Sequence, residues 1–239
     1  AAKEMGIDLS DSSLLSQEDY SILKTVMEQL DKYDPINVGL SGQVKEFREE
    51  EYYGDLGEWQ HRHAAQLVGI FPGNVINSKT PAWIDAAKVS LTERGHGGGV
   101  GWGVANKMCM WSRTKDGDTA HFLVEKLLKE CIAYNLWDLH FGDYKNTFQI
   151  DGNFGITAGM AELLLQSDAG YIEPLAALPS AWSTGSYTGL VARGNFEVSA
   201  KWENSLAKLV SIKSNKGGTV NIKYPSITNA TVVDSKGNT

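Results

Sequence analysis

The sequence is poor in cysteine, short of positive charge and without any long apolar run, and each shortage excludes a class of protein. Two cysteines in 239 residues, Cys109 and Cys131, cannot build a disulfide framework. Both fall in apolar patterns of helical period, which favours buried free thiols over a single disulfide, and neither has metal-ligand spacing. No apolar stretch approaches the roughly 18 residues that a membrane helix needs. Lysine and arginine number 22 against 29 acids, a formal charge of −7 with no basic stripe to hold a nucleic acid. The opening "AAKEMGIDLSDSS" lacks the charged start and apolar core of a secretory signal and has no initiator methionine, so the compartment stays open.

What is present is ordinary for a globular chain, 42% hydrophobic and 21% charged. The first 170 or so residues read mainly as helices. In "SQEDYSILKTVMEQLDKY", Ser16 caps with Asp19 three residues on, and Ile22, Leu23, Val26, Met27, Leu30 and Tyr33 recur at helical spacing. In "TPAWIDAAKVSLTERG", Thr80 caps, Pro81 fills the first turn and Gly95 stops the helix. Further helices are expected at 58–69, 101–114, 118–136 and 153–167. After "EPLAALPSAW" the period changes to two. "NFEVSAKW" alternates, "LVSIKSNKGGTVNIKY" reads as a hairpin about "NKGG", and "TVVDSKGNT" reads as a strand and turn. A helical domain over 1–174 and a β domain over 175–239 follow. The last strand has no returning partner, so the β module is expected to be cut short and the chain to be part of a longer protein.

Three stretches could carry chemistry. In "FQIDGNFG", Asp151 interrupts two apolar runs. Asp151-Gly152 can make a turn with Asn153 capping the next helix. Equally, a carboxylate ahead of a helix and walled by Phe148, Ile150 and Phe154 would be partly desolvated and fixed in direction, as a general base must be. The two readings are compatible. "EWQHRHAAQL" sets His61, Arg62 and His63 at the expected head of a helix. Side chains two apart on a helix diverge and no third ligand is evident, so a metal site there is weak. A solvated or structural basic cluster, or a set of fixed donors for an uncharged polar ligand, remains open. "RGHGGGVGWGVANKMCMW" matches no nucleotide fingerprint and reads as a flexible loop before a helix. Seven tryptophans offer core residues and some flat walls on which sugar rings could lie. The run Glu49-Glu50-Glu51 reads as a solvated charged face.

Taken together, "HRHAAQLVGIFPGN", "GWGVANKMCMWSRTKDGDTA", "FQIDGNFGITAGMAELLLQS" and "LAALPSAWSTGSYTGLVARGNFEVSAKW" resemble, in the same order, the family-95 glycoside hydrolases, α-L-fucosidases acting on 1,2-linked fucose. The likeness runs from about Gly42 to Trp202. It implies a mainly α fold, half of an (α/α)6 helical toroid, followed by a small antiparallel β-sandwich-like module. It further implies inverting hydrolysis, in which a glutamic acid protonates the leaving oxygen and an aspartate activates water from the opposite face. In such enzymes the two carboxyls stand about 6.5–9.5 Å apart.

On this resemblance Asp151 is the catalytic base and Arg62 and His63 contact the fucose. His140 in "NLWDLH" is a further sugar contact, although "FGDYKNT" lengthens its usual spacing to the aspartate. "HRHAAQL" and "QSD" depart from the family's pattern at Ala65, Gln66 and Asp168, changes that could shift sugar choice toward L-galactose or simply repack. The family's general acid and its water-orienting asparagines precede the start of this chain. The implied partners are a fucosylated oligosaccharide and the missing N-terminal half of the same polypeptide, with no nucleic acid or membrane and no metal or organic cofactor. A secreted or cell-surface setting is open to the complete protein. The alternatives are a catalytically inactive carbohydrate-binding or structural fragment and an α-L-galactosidase of the same family.

Overall fold

The computed structural model describes residues 15–30, 32–98, 100–140, 147–225 and 227–238. The chain falls into two compact units, residues 1–37 and 38–239. The first unit holds α1 (Gln17–Leu30), capped as its sequence requires: the Ser16 hydroxyl accepts from Asp19 N–H at 3.1 Å and donates to the Asp19 carboxylate at 2.6 Å. None of its side chains is buried, and Ile22, Val26, Met27 and Leu30 are exposed.

The second unit contains α2 (Pro81–Arg94), α3 (Gly101–Arg113), α4 (Gly117–Glu130) and α5 (Ile150–Leu164). Of these, α3 is central. Eleven of its residues are buried and it packs on both α4 and α5. Close approach to α5 rests on small residues: Gly155 meets Ala105, Gly159 meets Met108, and the Cys109 thiol donates to the Gly155 carbonyl at 3.2 Å. Both cysteines are buried and free, and burial pushes the Cys109 thiol up to about 12. No helix among the described residues is long and apolar enough to cross a membrane.

Strands β1 (Leu139–His140) and β2 (Thr147–Phe148) pair antiparallel before α5, and β3 (Leu165–Gln166) and β4 (Glu173–Pro174) pair after it. A three-stranded antiparallel sheet follows, β5 (Gly185–Ala192), β6 (Phe196–Glu203) and β7 (Leu206–Ser214), in chain order. The expected alternation on β6 is realised, with Phe196, Val198, Ala200 and Trp202 buried. Phe196, Val198 and Ala192 share one apolar core with Leu165 and Ile172 from the segment leaving α5, so the sheet and the end of α5 are stabilised together.

Several expectations require correction. Residues 58–69 are not an α-helix; only Ala65–Leu67 make a 3-10 turn. The carbonyls a helix would need are taken from outside: Arg94 donates to Glu58 O at 3.2 Å, Tyr53 to Trp59 O at 2.9 Å and Lys107 to His61 O at 3.5 Å. Helix α4 stops at Glu130 rather than 136, and residues 131–139 double back, with Leu139 N–H on Cys131 O at 2.8 Å. Helix α5 starts at Ile150, three residues early, with Gln149 and not Asn153 at its N-cap. The second arm of the "NKGG" hairpin is absent. Ile172 takes that segment instead, in a parallel bridge to Ile222 with N–H···O bonds of 2.8 and 2.9 Å. Residues 231–234 form no strand, although the turn after them closes on Asp234. Glu50 is not solvated: it is 3% exposed and accepts the amides of Glu46 and Gly54 at 2.8 and 3.1 Å, closing its loop.

Candidate active site

Of the four candidate residues, Asp151 stands on α5, His140 on β1, and Arg62 and His63 in the irregular chain before the Ala65–Leu67 turn. Asp151 lies in the first turn of α5 and is exposed. The expected desolvation is not found, because Phe148, Ile150 and Phe154 are themselves 43%, 48% and 67% exposed. Among the described residues no hydrogen bond or ion pair engages its carboxylate. An acid there suits the helix, since the free N–H groups of a first turn favour negative charge. Asn153 serves the loop and not the cap. Its amide oxygen accepts from Asp138 N–H at 2.9 Å and its NH2 donates to Leu136 O at 2.7 Å. Gln149 completes the tie, donating its N–H to Asp138 O at 2.9 Å.

The buried acid of this region is Asp138, thirteen residues earlier, at 0% exposure. Its carboxylate lies against Gly101 at the start of α3 and Gly152 in the first turn of α5, and a methyl group at either position would overlap it. Burial, followed by the charge of Asp151, pushes Asp138 up to about 6. Replacing Gly152 by Ala is therefore expected to cost about 1–3 kcal/mol of stability through overpacking, read as a lower Tm. An unchanged Tm would show that Asp138 has room to move away.

His140, half-buried on β1, pairs with Thr147 and bridges Val100, the residue preceding α3. The segment 141–146, which lengthens its spacing to Asp151, lies outside the described residues. Arg62 is exposed; its Cβ and carbonyl fill the space where a side chain at Gly103 would stand. The irregular backbone lets His61 and His63 approach, with ring centroids 5.0 Å apart, where a helix would have parted them. Among the described residues no group of three or more metal-ligating side chains forms. Burial, then the charges of Arg62, His61 and Lys107, holds His63 below the usual histidine value. As a neutral ring it can both donate to and accept from a hydroxyl.

Lys107 supports this segment from beneath. It is fully buried on α3, and its ammonium donates to Arg94 O at 3.0 Å and to His61 O, one residue before Arg62. Burial, then Arg94, lowers it to about 8. Arg94, at the end of α2, pairs with Glu46 at 2.7 Å and lies over the Tyr53 ring. Two cavities lie elsewhere. One of about 150 Å³ is lined by residues including Ser78, Asp85 and Arg113, and one of about 350 Å³ by Glu162 and Arg193 among others. None of the four candidate residues lines either.

The motifs on these supports have known counterparts. A sequence model of the "Glycosyl hydrolase family 95 catalytic domain" matches residues 5–164, and one of the "Glycoside hydrolase family 95, C-terminal domain" matches 166–239. The chain belongs to glycoside hydrolase family 95. An Arabidopsis thaliana protein described as Alpha-L-fucosidase 2 is 33% identical over 209 residues, covering 84% of this chain and 24% of the relative. The Probable alpha-fucosidase A of Aspergillus oryzae is 27% identical over 243 residues, covering 93% of this chain and 33% of the relative. That of Aspergillus niger is 29% identical over 206 residues, covering 79% and 25%. The chain thus spans a quarter to a third of the length of these relatives. Membership makes it a piece of a glycoside hydrolase, built here of helices and small antiparallel sheets.

The departures noted in the sequence now have surroundings. Asp168 forms a buried ion pair with Arg113 at 3.3 Å. Both polar atoms of the Gln66 amide are buried without a hydrogen-bond partner, and nothing in the structure explains them. Sequence reasoning missed Asp138 and Lys107. The available signal was a lone charge inside an apolar run, in "NLWDLH" and in "VANKMCMW".

Proposed function

We propose that the complete protein is an inverting glycosidase that removes terminal α-1,2-linked L-fucose from oligosaccharides or glycans. Asp151 acts as general base, taking a proton from the attacking water. Arg62, His63 and His140 hold the sugar, and the general acid lies in the part of the protein outside this chain. The helices form half of an (α/α)6 toroid, residues 1–174, and residues 175–239 belong to the trailing β domain. The observation that carries the reading is the position of Asp151, an unengaged and exposed carboxylate on the first turn of α5, within the stretch matched by the family's catalytic domain. Supporting it, the similar proteins of Arabidopsis and Aspergillus are named as fucosidases.

Water attacking from the face opposite the leaving group inverts the anomeric carbon. The complete protein is expected to release β-L-fucose first from 2′-fucosyllactose, as followed by NMR before mutarotation. The 239 residues alone are expected to release almost none, because one member of the acid–base pair is outside them. Release of the α-anomer, or brisk turnover by the short chain, would overturn the assignment.

A further inference from the structure

The structure holds a second carboxylate, Asp138, for which the proposed chemistry has no use. Its main chain is fully committed: N–H to the Asn153 amide oxygen and C=O to Gln149 N–H. Its side chain is completely buried, and neither carboxylate oxygen meets a donor in full hydrogen-bond geometry among the described residues; the Leu139 amide beside it steadies the charge but is committed to Cys131 O at 2.8 Å. An acid whose only task was to hold the loop would be expected to spend its carboxylate on a donor. This one instead fills the gap between Gly101 and Gly152, where the first turns of α3 and α5 meet and their free N–H groups leave partial positive charge.

We propose that Asp138 is a positioning residue for Asp151: wedged between the two first turns, it fixes the turn that carries Asp151 and, by like-charge repulsion, keeps that carboxylate facing outward. The proposal rests on the reading of Asp151 as the base. The titratable groups that interact with Asp138 are Asp151 on α5 and Cys131 at the end of α4, while the first turn of α3 offers none. Burial, then Asp151, outweigh the Leu139 amide and place the Asp138 ionisation at about 6. The folded state therefore binds this proton more tightly than the unfolded chain. The stability it contributes is complete below the ordinary carboxylate value and is lost as pH rises through about 6. At neutral pH the charged residue favours orientation at the expense of stability.

The test uses the complete protein with 2′-fucosyllactose. Asp138→Asn keeps the shape and removes the charge. Its kcat is expected to fall about ten- to a hundredfold with KM little changed. Its Tm at pH 7.5 is expected to equal or exceed the wild-type value. In the wild type, kcat/KM should carry an acidic limb near pH 6, and the variant should lack it. Unchanged kcat and pH profile, or a loss of rate that merely tracks a lower Tm, overturns the proposal. Should the variant not fold, a wild-type profile flat between about pH 5 and 7 overturns it equally. Asp151→Asn separates the two claims. Wild-type activity in that variant removes the base assignment, whereas an inactive Asp151→Asn beside a fully active Asp138→Asn removes only the positioning role.

Discussion

Replacing Asp151 by Asn in the complete protein is expected to lower kcat about a hundred- to ten-thousandfold while leaving KM close to wild type. The amide keeps the carboxylate's shape but cannot accept the proton of the attacking water, and general-base catalysis is worth about that factor. The sugar contacts proposed for Arg62, His63 and His140 are untouched, so binding should persist. Folding should persist too. Asp151 is exposed, and the small loss of favourable charge at a helix start, about 0.3–1 kcal/mol, is opposed by relief of repulsion with Asp138. Steady-state kinetics on 2′-fucosyllactose, with an L-fucose titration followed by tryptophan fluorescence, reads both quantities. A protein that only bound carbohydrate would keep its affinity and have no rate to lose.

The largest effect on stability is expected at Arg113. Its guanidinium, with the side chain 3% exposed, reaches the Glu162 carboxylate twice, Nε at 2.5 Å and one Nη at 2.8 Å, and Asp168 with the other Nη at 3.3 Å. The triad joins the last turn of α3 to α5 and to the chain beyond β3. Arg113→Met fills much of the same volume but strands two carboxylates that are only 17% and 8% exposed. Breaking a buried pair in this way costs about 3–5 kcal/mol. Denaturant unfolding of the complete protein measures it. A loss below about 1 kcal/mol would place the triad among ordinary solvent-screened ion pairs. Replacing all three residues by apolar ones should restore much of the loss, since the cost lies in the unpaired charges.

How far the sequence was legible depended on whether the forces were local. Ser16, Pro81 and Gly95 each mark a helix end through their own backbone or side chain, and the structure uses all three. The alternation along residues 196–202 likewise records a face, and that face is buried. Reading failed where a distant side chain took a backbone group. Arg94, Tyr53 and Lys107 are 36, 6 and 46 residues from the carbonyls they hold, and together they unmake the helix expected at 58–69. The same is true of Asn153. In sequence it stands as a cap for the helix that follows, but its amide is engaged 15 and 17 residues back. At the candidate site, Asp151 was visible as an acid among apolar residues. Which acid would be buried was not, because that follows from the way 131–139 doubles back beneath two helix starts.

Lys107 gives the loop that carries Arg62 its mechanical reference. One ammonium grips the final carbonyl of α2 and the carbonyl just before Arg62, so these two backbones cannot drift apart without stranding a charge in the interior. A disturbance at the end of α2 is therefore expected to reach Arg62 as a change of aim, carried by a lysine that lies beneath the loop.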